Sequence, residues 1–224
     1  MSKHLERDLE GLQRALLGMA ALVEEAIRKA TRALQERDAG LAREVIDGDS
    51  AIDEEENRVG EECLKMLALH QPVAGDLRRV AAVLMISTDL ERMGDLAEDI
   101  AERANHLAGL PPVPLDDKLQ RMTDLTTLMV RQALDTFVHL DPRRARVVCR
   151  LDDEIDRYND ELIDDLTAAM RAAADRVEPG LSLFSAVRHL ERIADHATNV
   201  AEDVIYLVEG EIVRHRPAAV RDLP

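Results

Sequence analysis

Apolar residues recur every three or four positions along nearly the whole chain, with charged residues filling the intervals. That spacing predicts amphipathic helices, because residues three and four apart share one helical face. A first helix runs from Ser2 to Gln35, with Leu12, Leu16, Met19, Val23, Ile27 and Leu34 on its apolar side. Glu36-Arg37-Asp38 is a turn in which Asp38 caps a second helix carrying Val45, Ile52, Val59, Cys63 and Met66. That helix ends near His70, because Pro72 disfavours helical backbone at Gln71. A third helix spans Ala74 to Leu107, before the breaker cluster Gly109-Leu110-Pro111-Pro112-Val113-Pro114. A fourth spans Leu115 to Leu140. Asp141-Pro142 then gives a cap and an N1 proline to a fifth helix reaching Val177. Pro179-Gly180 separates it from a sixth, Leu181 to Val213, and from Arg214 onward the tail reads as frayed.

The second half repeats the first. Leu90-Glu91-Arg92-Met93-Gly94-Asp95 returns as Leu190-Glu191-Arg192-Ile193-Ala194-Asp195, a shift of 100 from Leu90 to Leu190. Earlier in the chain the shift is 103: Met19 falls on Met122, Asp38 on Asp141, and Asp53 on Asp156 (156 − 53 = 103). A three-residue difference in one connection reconciles the two shifts. The expected fold class is all-α, a tandem repeat of two three-helix bundles with six long helices. Residues 1–109 form the first bundle, 110–114 a proline-rich linker, 115–215 the second bundle and 216–224 a tail.

Composition narrows this further. Aromatic residues are only 2% of the 224, with no Trp, so Leu, Ala, Val, Ile and Met must build the core. No sustained alternation of β-branched residues predicts a strand. The formal charge of −16 argues against nucleic acid and anionic lipid as direct ligands, and no apolar run is long enough to insert in a membrane. With no signal-peptide layout, the expectation is a cytoplasmic protein. Cys63 and Cys149 lie singly on apolar stretches and read as reduced core thiols.

The acids have definite addresses. With Leu90 as heptad position a, Glu91 is b and Asp95 is f, one turn apart on the side away from the apolar seam. Glu191 and Asp195 repeat this. Asp49, Asp53 and Asn57 follow at i, i+4 and i+8 on the second helix, and Asp152, Asp156 and Asp160 on the fifth. If the second and third helices are neighbours, Asp53, Asn57, Glu91 and Asp95 can converge on one ion. Asp156, Asp160, Glu191 and Asp195 can do so in the other half, with Asp49, Asp99, Asp152 and Asn199 as secondary candidates. Such oxygen donors suit a divalent or trivalent cation: Mg, Mn, Ca or iron. Arg92 and Arg192 are expected to point elsewhere, since adjacent helical residues do not face each other. The plainer reading is that b and f positions simply carry solvated charge, and duplication copies solvated faces as readily as sites.

The motif Leu90 to Asp95, its second copy extended to Glu202, and Gln71-Pro72-Val73-Ala74-Gly75-Asp76-Leu77-Arg78 resemble the signature stretches of the PhoU family. This family comprises accessory and regulatory proteins of bacterial phosphate uptake. The likeness extends from the first helix to about Glu211. It implies two three-helix bundles related by a pseudo-twofold, with iron or zinc clusters on E/D-x-x-x-D motifs. Those motifs map to Glu91 and Asp95, to Glu191 and Asp195, and to the acids Asp53 and Asp156. It also implies a non-enzymatic negative regulator of phosphate-starvation signalling, linking the phosphate ABC transporter ATPase to a sensor histidine kinase. That role would bring it to the inner face of the membrane through protein partners. Leu96 and Asp99 stand where the family usually has His and Asn, and Asn57 where it has an acid, so the first site is expected to bind metal differently from the second.

Two other readings remain open. A ferritin-like di-iron carboxylate enzyme needs Glu-x-x-His pairs facing the bundle core, and the sequence contains none. A metal-free helical adaptor needs only the solvated ladders. Exposed helical faces also suit a homodimer.

Overall fold

A computed structural model describes residues 3–113, 115 and 117–214. Among these residues the regular structure is helical throughout: α1 (Lys3–Glu36), α2 (Ala39–Gly48), α3 (Ser50–His70), α4 (Ala74–Leu107), α5 (Lys118–His139), α6 (Pro142–Ala172) and α7 (Val177–Glu209), with a 3-10 turn at Ala174–Arg176. The two halves are three-helix units in which α2 and α3 together match α6, as the tandem repeat predicts.

The centre of the molecule is the antiparallel pair α4 and α7. Asp89 of α4 meets His196 and Asn199 of α7, while His189 of α7 lies 3.7 Å from Asp99 of α4. Further out, His106 reaches Glu178 at 3.3 Å. These pairings run in opposite directions along the two helices, as a twofold between the halves requires. Many of the buried residues of the two helices are small: Ala97, Ala101 and Ala104 on α4, and Ala186, Ala194, Ala197 and Ala201 on α7. α1, α2 and α3 cover α4, and α5 and α6 cover α7. One continuous apolar core results, with Leu16, Met19, Ile27, Ile86, Leu90, Met93, Met122, Met129, Ile155 and Leu162 fully buried. Truncating any such side chain to Ala costs about 2–5 kcal/mol in comparable cores.

The capping signals hold. Asp38 Oδ1 accepts from the backbone N–H groups of Gly40 and Leu41 at 2.8 and 3.0 Å, and Asp141 does the same for Arg143 and Arg144 at 3.0 Å each. Arg37 fastens the α1–α2 turn to the central linker, donating to the carbonyls of Leu107 and Leu110.

Several boundaries differ from the periodicity, among them the start of α5 at Lys118 instead of Leu115. The second predicted helix is two helices, α2 and α3, separated at Asp49. There the carbonyl accepts from Ile52 N–H at 2.8 Å and Asp53 N–H at 3.4 Å, a tightened turn following the poor helix former Gly48. The fifth helix stops at Ala172, and the sixth starts at Val177 with Pro179 and Gly180 inside it. Proline is tolerated in a first turn because that N–H has no intrahelical acceptor. Glycine is needed there because a Cβ at position 180 would sit 2.6 Å from Met170 Cγ. α7 then closes at Gly210, whose φ of +77° donates its N–H to Tyr206 O, ending the helix before Val213. Ser2 and most of the tail expected to fray lie outside the described residues, although Arg214 is seated against Asp89.

Candidate functional site

In the first half, α3 and α4 run side by side, and the carboxylate of Asp49, whose own backbone stays helical at φ −60° and ψ −41°, lies against α4. Oxygens of Asp49, Asp53 and Asp95 lie within 4.8 Å of one another, an arrangement able to hold a metal ion. Gly94 makes this approach feasible. A Cβ there would stand 3.1 Å from both Ile52 Cδ1 and Ile52 Cγ2, and 3.6 Å from Asp49 Oδ1.

The surrounding charge is lopsided. Burial, then Asp53 and Asp95, push the Asp49 carboxyl above the usual carboxylate range. Glu91 is raised by burial and by Asp95 against the opposing pull of Arg92, with Glu56 and Asp53 adding to the rise. Glu98, one turn beyond Asp95, is raised by burial and then by Asp49. It belongs to the same cluster and was absent from the sequence-derived candidates. Arg92 does not point elsewhere, as adjacency had suggested. Its Nη1 is 3.0 Å from Asp95 Oδ2 and its Nε 3.4 Å from Glu91 Oε2, because a long guanidinium side chain can reach across i,i+3.

Two first-half candidates do not join the cluster. Asn57 turns its amide back to donate to its own helix at Asp53 O, 2.8 Å away, and stays exposed. Asp99 lies on the α4–α7 seam beside His189.

The second half assembles the equivalent acids less tightly. Burial pushes Asp152 up to about 6, with Asp195 and Asp156 adding to the rise. Glu191 is raised by burial and by Asp195, while Arg188 opposes from 3.2 Å. Asp195 is raised by burial and then by Asp156. These four face one another, but the described residues bring only the first-half trio to within 4.8 Å. One sequence difference stands between the two halves here: Ala194, fully buried, takes the place of Gly94. Asp160 is exposed and accepts from Asn159 at 3.3 Å, and Asn199 donates to Asp89 at 3.2 Å, so neither is drawn in. Thr198 stands where the first half has Glu98.

A polar seam between the halves also escaped the spacing argument. Asp89, 7% exposed, accepts from His196 Nδ1 at 2.8 Å, Asn199 Nδ2 at 3.2 Å and Arg214 Nη2 at 3.0 Å. Only the oddity of an Asp at a seam position of α4 could have signalled it.

Comparisons with known proteins agree with this architecture. The PhoU domain profile matches residues 16–104 and 119–204. The "Phosphate-specific transport system accessory protein PhoU homolog" of Aquifex aeolicus (strain VF5) is 42% identical over 95% of this chain and 96% of its own. The protein of the same description from Pseudomonas putida is 39% identical over 96% of this chain and 84% of its own. The crystal structure of PhoU from Pseudomonas aeruginosa superposes with a TM-score of 0.90 at 36% identity, covering 92% of this chain and 99% of that one. The phosphate transport system regulatory protein PhoU from Streptococcus pneumoniae superposes at 0.85 with 30% identity, covering 93% of this chain and 99% of that one.

Proposed function

The chain belongs to the PhoU family, and we propose that it is a metal-binding helical adaptor of phosphate transport, without enzymatic activity. In this reading it restrains the phosphate-starvation response by linking the phosphate ABC transporter ATPase to a sensor histidine kinase. The relatives' description as transport accessory proteins supports the phosphate connection. No helix among the described residues is long and apolar enough to cross a membrane, so contact with membrane components would run through protein partners. A cytoplasmic homodimer is part of the same proposal.

The observation that carries the metal reading is the Asp49, Asp53 and Asp95 trio. Oxygens on opposite sides of a cation bound at about 2.3–2.6 Å lie up to about 5 Å apart, so a spacing within 4.8 Å fits one ion after small side-chain rotations. The donors are carboxylates without Cys or His, which favours Mg, Mn, Ca or iron over zinc. Of Asp49, Asp53, Glu91, Asp95 and Glu98, the guanidinium of Arg92 meets only Glu91 and Asp95, and a cation would relieve the repulsion within the cluster. Asp152, Asp156, Glu191 and Asp195 would form the second, looser site. Bound metal would fix α3 against α4 and stiffen the adaptor, since a ligand that binds only the folded state stabilises it.

The test combines metal analysis of the purified protein with a starvation-promoter reporter in cells. Loss of both metal and signalling restraint in Asp53→Asn/Asp95→Asn supports the proposal. Restraint retained without metal uncouples the two and favours the metal-free adaptor.

A further inference from the structure

Beyond Gly210 the chain does not trail away. Residues 211 and 212 lie on the surface, Ile212 being 64% exposed, whereas Val213 is 2% exposed in the apolar core. Arg214 Nη2 then reaches Asp89 Oδ2 of α4 at 3.0 Å. The segment is thus held by two adjacent anchors, one apolar and one cationic.

The receiving site is built by both halves. α4 supplies Asp89, fixed by His196 and Asn199 of α7, and α7 supplies Glu202 and Asp203, which feel the Arg214 charge. Asp203 is 4% exposed, and its Oδ2 has no hydrogen-bond partner among the described residues. Arg214 is thus bonded to one carboxylate, Asp89, within the field of two more, and one buried acceptor, Asp203 Oδ2, is left without a donor among the described residues. An unsatisfied buried oxygen is costly unless a donor comes to it.

We propose that residues 210–214 are a displaceable internal ligand, and that the site beneath them docks a protein partner's segment bearing an arginine next to a branched apolar residue. The chemistry of the resident occupant defines that of its competitor. Exchange replaces like contacts by like, so the incoming segment must overcome only the effective concentration of the tethered strap, on the order of millimolar for a short connection. The open Asp203 oxygen gives an incoming segment one acceptor that the strap leaves unused. The formal charge of −16 further favours a basic partner over an acidic one. This site is separate from the carboxylate trio between α3 and α4, and its test does not depend on metal.

The probe is an end-blocked, fluorescently labelled peptide of sequence Gly-Glu-Ile-Val-Arg, titrated against the full chain by polarisation. The Arg214→Ala protein, checked for an unchanged helical spectrum, should bind it saturably and at least tenfold more tightly than the unsubstituted protein. Adding Asp89→Asn to that variant, or replacing the peptide's arginine by alanine, should abolish binding. Equal binding by both proteins, or none by a folded Arg214→Ala variant, overturns the proposal. A second measurement reads strap opening in the otherwise native chain. In Val213→Cys, the new thiol should react with a water-soluble disulfide reagent at least a hundredfold faster than Cys63, which is fully buried in the first half. Reaction as slow as that of Cys63 would make the strap a fixed part of the core and overturn the proposal.

Discussion

Replacing Gly94 by alanine is the smallest change that reaches the carboxylate trio. The new Cβ would stand 3.1 Å from two Ile52 carbons, and ordinary contact needs several tenths of an ångström more. Ile52 is 3% exposed, so its side chain, or α3 with it, must give by a few tenths of an ångström away from α4. Overpacking of this kind costs about 1–3 kcal/mol, and the better helix propensity of Ala returns about 1 kcal/mol. The net cost to folding is therefore about 0–2 kcal/mol, a melting shift of at most several degrees for a chain of this length. The effect on the site is larger in proportion, because widening three ligands together loosens all of them. We expect Mn²⁺ affinity to fall about tenfold, or about 1.4 kcal/mol. Calorimetric titration of chelator-treated protein reads this directly, with thermal melting as the control for folding. The converse change, Ala194→Gly, should let α6 and α7 close and tighten the second-half site. Unchanged affinity in Gly94→Ala, with the protein stably folded, would refute the link between this glycine and the trio.

Other expected outcomes follow from the charge distribution. Arg92→Gln removes a guanidinium from Asp95 and Glu91; being exposed, it should cost less than about 1 kcal/mol without metal. It should enlarge the melting shift produced by added Mn²⁺, and a smaller shift would count against repulsion among the acids. Asp203 is pushed up to about 7 by burial, with Arg214 only partly opposing. A carboxyl with a raised folded-state pKa contributes stability that is complete below its unfolded value, near 4, and is lost as pH rises through about 7. Asp203→Asn should therefore flatten the fall in melting temperature between pH 4 and 8 and stabilise the protein by about 1–3 kcal/mol at pH 8; a steeper fall would contradict it. Arg146, 6% exposed, grips Glu209 through two bonds of 2.9 and 2.6 Å and locks the start of α6 to the end of α7. Arg146→Ala should cost about 2–4 kcal/mol by urea unfolding, and Arg146→Ala/Glu209→Gln less than the sum of the single changes.

The helices, their caps at Asp38 and Asp141 and the tandem repeat were legible because each rests on local spacing, and apolar period and cap chemistry act within a few residues. The boundary at Val177 was misread because Pro179-Gly180 looks like a breaker until Met170 is seen to need the room. The break at Asp49 depends on one shared carbonyl, which periodicity does not register. Among the site residues, heptad position put Asp53, Glu91 and Asp95 on the sides of their helices away from the apolar seam, and their convergence was conditional on the two helices being neighbours. Asn57 and Asp160 satisfied the same spacing, but one side chain folds onto its own backbone and the other stays exposed beside Asn159. Glu98 and the Asp89 seam depend on how α4 is rotated between α3 and α7, which a single helix's pattern does not specify. The contrast between Gly94 and Ala194 was visible in the aligned repeats, but its meaning depends on Ile52 lying opposite.

The reading of the acids as a cation site rests on how α3 and α4 present Asp49, Asp53 and Asp95 together. Calorimetric titration of Mn²⁺ into chelator-treated protein, compared with Asp53→Asn/Asp95→Asn, tests this most directly. Saturable binding to the first-half site that disappears in the double variant is the predicted result. Absence of binding, or binding undiminished by the two substitutions, would contradict it.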